Sequence, residues 1–174
     1  IVGEVYQDRL GVAAAIVLVL EIEQRLRRFA LHHRFKKIDD ALNRSVHINK
    51  LQDAYIRLHI SRGPGEIGLD PALCSAPTMV IVAKPFHDYP VENYTRGVMV
   101  AFVKTRRNHP LAIDPSIKST NFLNNIQAKI EAIKAGAYEG IMLNWEGFVA
   151  EGTISNIGMV KKGILYTPHL KSGI

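Results

Sequence analysis

A lysine in a turn before an amphipathic helix is the strongest candidate for chemistry in this sequence. Lys118 follows an Asp114-Pro115 turn, and the residues after it repeat apolar side chains at helical spacing. A lysine at a helix start feels the positive end of the helix dipole, which disfavours its ammonium form. If it is also desolvated, it is a neutral amine that can form a Schiff base with a carbonyl compound. Taken alone, Lys118 is better explained as a solvated surface charge, as most lysines near helix ends are.

A carboxylate further along the chain is the second candidate. Glu151 closes a strand-like segment and precedes a glycine-containing polar turn, Gly152 to Asn156. A carboxylate followed by such a turn is also common on protein surfaces. The segment therefore indicates a site only in combination with Lys118.

Other reactive residue types show no supporting pattern. His32 and His33 are adjacent, so they point to different faces of a helix, and no partner has ligand spacing; we expect no metal site. The sequence has no dinucleotide-binding glycine loop or nucleophile elbow, and Cys74 has no evident activating base. The basic loop containing Arg106 has two interpretations that stay open, a solvated loop or a wall of a substrate pocket.

Composition limits the class of protein. The chain has 174 residues, 47% of them hydrophobic, and a formal net charge of +6. A basic balance suits a phosphorylated small molecule as well as nucleic acid. Aromatic residues do not interleave with the basic clusters in a stacking pattern, so we expect no nucleic-acid partner. The apolar run of residues 10–20 is too short to span a bilayer, so we expect no membrane segment. A single cysteine excludes an intrachain disulfide and fits a cytoplasmic location.

Sequence patterns predict helices and strands between residues 10 and 103. Apolar spacing predicts helices over residues 21–35 and 37–48, and the apolar run of residues 10–20 is expected to be a buried strand or helix. Alternation predicts a half-buried strand over residues 55–60, and the β-branched run of residues 78–83 predicts a buried strand. Residues 97–103 predict another buried strand.

The second half is expected to hold one helix and two hairpins. Ser119 can cap the helix, which is expected to end near Gly136. Its buried face is expected to consist of Phe122, Leu123, Ile126, Ile130 and Ile133. Turn residues at 145–147 and 161–163 predict β-hairpins. The class is α+β, with a small N-terminal α/β domain at 1–84, a linker at 85–96 and the start of a large domain at 97–174.

Several long motifs in the right order resemble the fold-type IV pyridoxal-phosphate enzymes, also called class IV aminotransferases. The matching segments are residues 53–58, 61–71, 117–125, 147–153 and 165–168, within roughly the last 120 residues. They look most like the branched-chain amino acid aminotransferases. The resemblance implies the two-domain fold of this family, with pyridoxal 5′-phosphate as cofactor.

The resemblance also implies roles for individual residues. Lys118 matches the lysine that binds the cofactor covalently and shuttles a proton, and Glu151 matches the carboxylate paired with the pyridine nitrogen. Arg25 aligns with the arginine that clamps the cofactor phosphate. The turn beside the cofactor is matched by Thr153, Ile154 and Ser155. Arg106 and Phe122 are weaker candidates for contact with the substrate. At the position of Phe122 the family often has tyrosine.

The implied activity is transamination of leucine, isoleucine and valine with 2-oxoglutarate as acceptor, in branched-chain amino acid biosynthesis. The implied assembly is a homodimer or larger oligomer. The alternatives are a D-amino-acid or (R)-amine aminotransferase, an aminodeoxychorismate lyase, or a non-catalytic module that kept the fold. The family's stretch before Arg25 and its phosphate-binding segment after Ile174 are not matched here. We therefore expect an incomplete chain that is a poor enzyme by itself.

Overall fold

The computed structural model describes residues 35–117 and 119–174, which form two compact units; along the chain, one ends at Asp88 and the other begins at Tyr89. The expected helix at 21–35 and the apolar run at 10–20 lie outside the described residues. Within the segment predicted as a linker, a short helix, α2, spans Val91–Thr95. The division at residues 85–96 stays a prediction.

The first unit is a helix packed on a β-hairpin. Helix α1 spans Phe35–Ile48, and strands β1 (Ala54–Ser61) and β2 (Thr78–Pro85) pair antiparallel over their full lengths. Ile38 and Leu42, one turn apart on α1, are buried against the hairpin. The helix and both strands are confirmed where the sequence predicted them.

The burial predicted for β2 is wrong. Val80 and Val82 are exposed, whereas Ile81 packs against α1. Successive side chains of a strand point to opposite faces, and α1 covers only the face of Ile81. A β-branched run predicts a strand but does not establish that both of its faces are covered.

The second unit is built around a three-stranded mixed sheet with the order β3-β4-β5. Strand β3 (Val100–Phe102) pairs parallel with β4 (Glu139–Leu143), and β4 pairs antiparallel with β5 (Val149–Gly152). The predicted hairpin at 145–147 joins β4 to β5 and is confirmed. The predicted strand at 97–103 is shorter than expected, and Val100 and Phe102 are exposed, so the prediction that it is buried is wrong.

Helix α3 (Leu123–Lys134) connects β3 to β4. The predicted Ser119 cap is wrong, because Phe122 occupies the N-cap position and makes no side-chain capping bond. The helix ends as expected: Gly136 has φ +70° and its amide donates to Ile133.

The buried face predicted for α3 is also wrong. Ala128 and Ala132 are fully buried against the sheet. The five predicted positions are 43–63% exposed: Phe122, Leu123, Ile126, Ile130 and Ile133. A helix turns about 100° per residue, so the two alanines lie on the side opposite the apolar stripe. Their small side chains let α3 approach the sheet at Gly140, where a Cβ would lie 3.2 Å from the Cβ of Ala132.

After β5, strands β6 (Met159–Lys161) and β7 (Ile164–Tyr166) form a further hairpin. This confirms the hairpin turn predicted at 161–163. Lys162 and Gly163 both have positive φ, at 51° and 75°, as a tight two-residue hairpin turn requires. The α+β class is confirmed. Among the described helices, none is long and apolar enough to cross a membrane.

Candidate active site

The sequence-predicted site residues divide into those that the structure describes and those that it does not. Glu151 lies near the end of β5, paired with Met142 of β4, and the predicted turn residues follow it. Lys118 and Arg25 lie outside the described residues. The site is therefore built from Glu151 and its neighbours.

An arginine from the loop after β3 holds Glu151. The Nη2 atom of Arg107 lies 2.7 Å from Oε1 of Glu151, and the two side chains are only 11% and 17% exposed. Such a short contact is typical of a charge-assisted hydrogen bond. The carboxylate of Glu151 thus has a fixed cationic partner in a mostly water-excluded position.

The same guanidinium group is fixed by two further contacts. Its Nη1 donates to Oδ1 of Asn125 at 3.0 Å, and its Nε donates to the carbonyl of Gly173 at 3.1 Å. Asn125 belongs to α3, and its Nδ2 donates to the carbonyl of Thr153 at 2.7 Å. Arg107 and Asn125 therefore connect helix α3 to both Glu151 and the turn that follows it.

A second carboxylate, Glu139, supports the turn from inside the unit. Its Oε1 accepts hydrogen bonds from the amide of Gly140 at 2.8 Å, from the amide of Thr153 at 3.2 Å and from the Thr153 hydroxyl. Its Oε2 accepts from the Ser155 hydroxyl at 3.1 Å. Burial raises the pKa of the Glu139 carboxyl, but these donors, led by the Thr153 hydroxyl, outweigh burial and leave the pKa below its ordinary value.

The turn has little freedom once these bonds are made. The amide of Gly152 donates to the carbonyl of Ser155 at 2.7 Å, and a Cβ on Gly152 would lie 2.3 Å from the Ser155 Oγ. Only glycine fits this close approach. Thr153 is buried and its amide, hydroxyl and carbonyl all have protein partners, whereas Ile154 is 79% exposed. The role of all three turn residues toward a cofactor stays a prediction.

The two predicted substrate residues lie in the loop before α3 and at the N-cap of that helix. Arg106 is exposed, and its carbonyl accepts from Nδ2 of Asn124 at 2.8 Å. Phe122 is 43% exposed at the start of α3. Glu131 fixes the beginning of the loop through the Thr105 hydroxyl and two amides, which lower the pKa of its carboxyl. The substrate role of Arg106 and Phe122 stays a prediction.

Three residues of this network were not predicted from the sequence: Arg107, Asn125 and Glu139. Arg107 was visible only as part of a basic loop, and its partner Glu151 is distant in the sequence. Glu139 sits at the start of a strand whose neighbours become known only with the sheet register. Within the described ranges, no group of three or more acidic, histidine or cysteine residues could hold a metal ion.

Comparisons with known proteins place the chain in a family. The profile of the family described as Amino-transferase class IV matches residues 22–174. A Methanocaldococcus jannaschii protein, provisionally named a branched-chain-amino-acid aminotransferase, is 41% identical over 135 residues, covering 78% of this chain and 46% of that protein.

Solved structures agree with the family assignment. The branched-chain amino acid aminotransferase of Escherichia coli superposes with a TM-score of 0.80 at 29% identity, covering 89% of this chain and 54% of that one. The pyridoxal-phosphate form of the enzyme from Thermobaculum terrenum gives a TM-score of 0.75 at 25% identity, covering 90% and 52%. The chain spans about half the length of the proteins it matches.

The chain belongs to the class IV aminotransferases, a family of enzymes with the fold-type IV architecture. The cofactor of this family is pyridoxal 5′-phosphate. The resemblance predicted from the sequence motifs is confirmed, and its nearest subgroup is that of the branched-chain amino acid aminotransferases.

Proposed function

We propose that this chain contributes the catalytic lysine and the ring-nitrogen carboxylate to a pyridoxal-phosphate enzyme that transaminates leucine, isoleucine and valine, with 2-oxoglutarate as amino acceptor. The similarity to relatives named for branched-chain substrates supports the substrate class. The observation that carries the proposal is Glu151, a carboxylate fixed by Arg107 beside a glycine-dependent turn.

The residues present fit the cofactor. When bound, pyridoxal phosphate supplies a protonated pyridine ring that withdraws electrons from the substrate Cα. A carboxylate at the ring nitrogen keeps that nitrogen protonated, and Glu151 is a carboxylate that is only 17% exposed and whose direction is fixed by Arg107. The turn from Gly152 to Ser155 is held rigid from below by Glu139, so it offers a fixed wall to a flat ring.

Two residues outside the described ranges complete the proposed site. Lys118 would hold the cofactor covalently and then, as a free amine, take a proton from the substrate Cα and deliver it to C4′ of the cofactor. Arg25 would bind the phosphate through a bidentate pair of hydrogen bonds. Both assignments rest on the sequence motifs.

The remaining features of the proposal come from the family resemblance. The enzyme would act as a homodimer or larger oligomer in the cytoplasm, in branched-chain amino acid biosynthesis. Its small-molecule partners would be an amino acid and a 2-oxo acid.

Turnover with defined substrates tests the proposal. The chain is saturated with pyridoxal phosphate and given L-leucine and 2-oxoglutarate, and chromatography measures glutamate and 4-methyl-2-oxopentanoate. We expect both products in equal amounts but formed slowly, because this chain is expected to be a poor enzyme by itself. The products should be lost in Lys118→Ala and retained in Lys134→Ala, a control that removes an exposed lysine from the last turn of α3.

The same assay separates the alternatives. D-leucine and an (R)-amine are tested in parallel, and turnover of either in place of L-leucine would replace the proposed substrate class. Cofactor binding without turnover of any amine would favour the non-catalytic module.

A further inference from the structure

Arg107 is one of the described residues whose contacts the family resemblance does not explain. Its guanidinium group reaches three separate parts of the second unit: Glu151 in β5, Asn125 in α3 and the carbonyl of Gly173. A guanidinium is planar and carries five donors in a fixed geometry, so three simultaneous contacts define its orientation. Arg107 is therefore oriented independently of any ligand.

This fixed guanidinium determines the direction of the Glu151 carboxylate. A glutamate side chain has several rotamers, and a contact of 2.7 Å to an immobile cation selects those that keep Oε1 at Arg107. In the antiparallel pairing of β4 and β5, the Glu151 backbone lies opposite Met142, which is fully buried. Backbone and carboxylate are thus both fixed before a cofactor binds.

The charge of Arg107 also bears on the proton that a ring nitrogen would share with Glu151. A neighbouring guanidinium favours the ionised form of a carboxylate. The shared proton then stays on the nitrogen, where it supports electron withdrawal by the ring. Without the guanidinium, the Glu151 carboxylate either turns away from the ring nitrogen or takes the shared proton. In both cases the nitrogen is left unprotonated.

We propose that Arg107 is a positioning residue that acts through Glu151 to keep the ring nitrogen of the cofactor protonated. This inference rests on the proposed function. It assigns Arg107 no contact with substrate or cofactor. Its effect is to be seen first in the protonation of the ring and only then in the rate.

The test is the ¹⁵N chemical shift of the ring nitrogen in chain saturated with ¹⁵N-labelled pyridoxal phosphate near neutral pH. We expect a protonated nitrogen in the wild type, a shift toward the unprotonated value in Arg107→Gln and an intermediate value in Arg107→Lys, which keeps the charge without the fork. The rate of transamination should fall about tenfold or more in Arg107→Gln, by analogy with residues that orient metal ligands.

The matched control is Arg96→Gln, which also removes one positive charge but from an exposed position at the end of α2. Its ring-nitrogen signal should equal that of the wild type. Thermal unfolding of each variant separates loss of structure from loss of positioning, and Arg107→Lys keeps the test decisive if Arg107→Gln does not fold.

The outcomes are distinct. Bound cofactor with the same ring-nitrogen shift in the wild type, Arg107→Gln and Arg107→Lys would overturn this inference while leaving the proposed function intact. A wild-type chain that binds no cofactor at saturating concentration would overturn the proposed function, and this inference with it.

Discussion

Replacing Glu139 by glutamine is expected to loosen the turn that carries Thr153 and follows Glu151. Glu139 is 9% exposed, and its Oε1 accepts from two amides and one hydroxyl, while Oε2 accepts from the Ser155 hydroxyl. Glutamine has the same shape and keeps one carbonyl oxygen as an acceptor. The substitution therefore removes the charge without creating a cavity.

The magnitude follows from the three donors on Oε1. Hydrogen bonds to charged groups contribute about 1.5–3 kcal/mol and neutral ones about 0.5–1.5 kcal/mol, so each bond weakens by about 1 kcal/mol. Because such contributions are not additive, we expect Glu139→Gln to lower the free energy of unfolding by about 1–3 kcal/mol. Glu139→Ala leaves the amide and hydroxyl of Thr153 without this acceptor and should cost about 2–5 kcal/mol.

The pKa of Glu139 adds a dependence on pH. Its folded-state pKa is below the ordinary value of 4.5. The stabilisation is therefore fully present above pH 4.5 and is lost as the pH falls through the lower, folded-state pKa. The difference in unfolding free energy between the wild type and Glu139→Gln should be largest near neutral pH and should shrink on acidification below 4.5.

Urea unfolding followed by the fluorescence of Trp145, the single tryptophan, measures this difference. The control is Glu146→Gln, an exposed carboxylate at the tip of the same hairpin, which should change stability by less than about 0.5 kcal/mol. If the difference in unfolding free energy between the wild type and Glu139→Gln stays constant or grows as the pH falls, the ionised carboxylate of Glu139 is not what holds the turn.

Three further predictions concern the site and its support. Borohydride reduction of the cofactor-loaded chain followed by peptide mass mapping should place the pyridoxyl adduct on Lys118; an adduct on Lys104 or Lys129 would contradict the assignment. Glu151→Gln should still bind cofactor, measured by absorbance, but slow proton abstraction severely because a neutral partner favours an unprotonated ring; near-normal turnover would rule out its role. Gly140→Ala should lower the free energy of unfolding by about 1–3 kcal/mol in urea, because its Cβ would lie 3.0 Å from a Val103 methyl and 3.2 Å from the Cβ of Ala132 on α3. Unchanged stability would show that Val103 and α3 can move to make room for the added methyl group.

The local elements could be predicted because short-range rules determine them. The two hairpins were visible in their turn residues, and Gly163 and Gly147 do adopt the positive φ that such turns use. The end of α3 at Gly136 follows from the same freedom of glycine. These features depend on a few neighbouring residues.

Burial could not be predicted so well, because it depends on which face meets another element. The apolar stripe of α3 was the natural expectation, yet Ala128 and Ala132 face the sheet. The strand that ends at Phe102 and the strand that contains Val82 were expected to be buried, yet each has an exposed face. Periodicity identifies an apolar face, while the packing partner is a property of the fold.

The site shows the same limit. Motif resemblance identified Glu151 and the turn at Thr153, because these residues are contiguous. It did not identify Arg107 or Glu139, whose roles arise only when strands and loops distant in sequence come together. The two carboxylates also have opposite surroundings, one paired with a guanidinium and one saturated by uncharged donors, and no local pattern distinguishes them.

A crystal structure of the chain with pyridoxal phosphate tests the central claim most directly. We expect continuous electron density from the Nζ atom of Lys118 to the cofactor. We also expect a ring nitrogen within about 2.7–2.9 Å of the Glu151 carboxylate, with Arg107 still in contact with Oε1. Cofactor attached to another lysine, or a ring nitrogen facing any group other than Glu151, would contradict the claim.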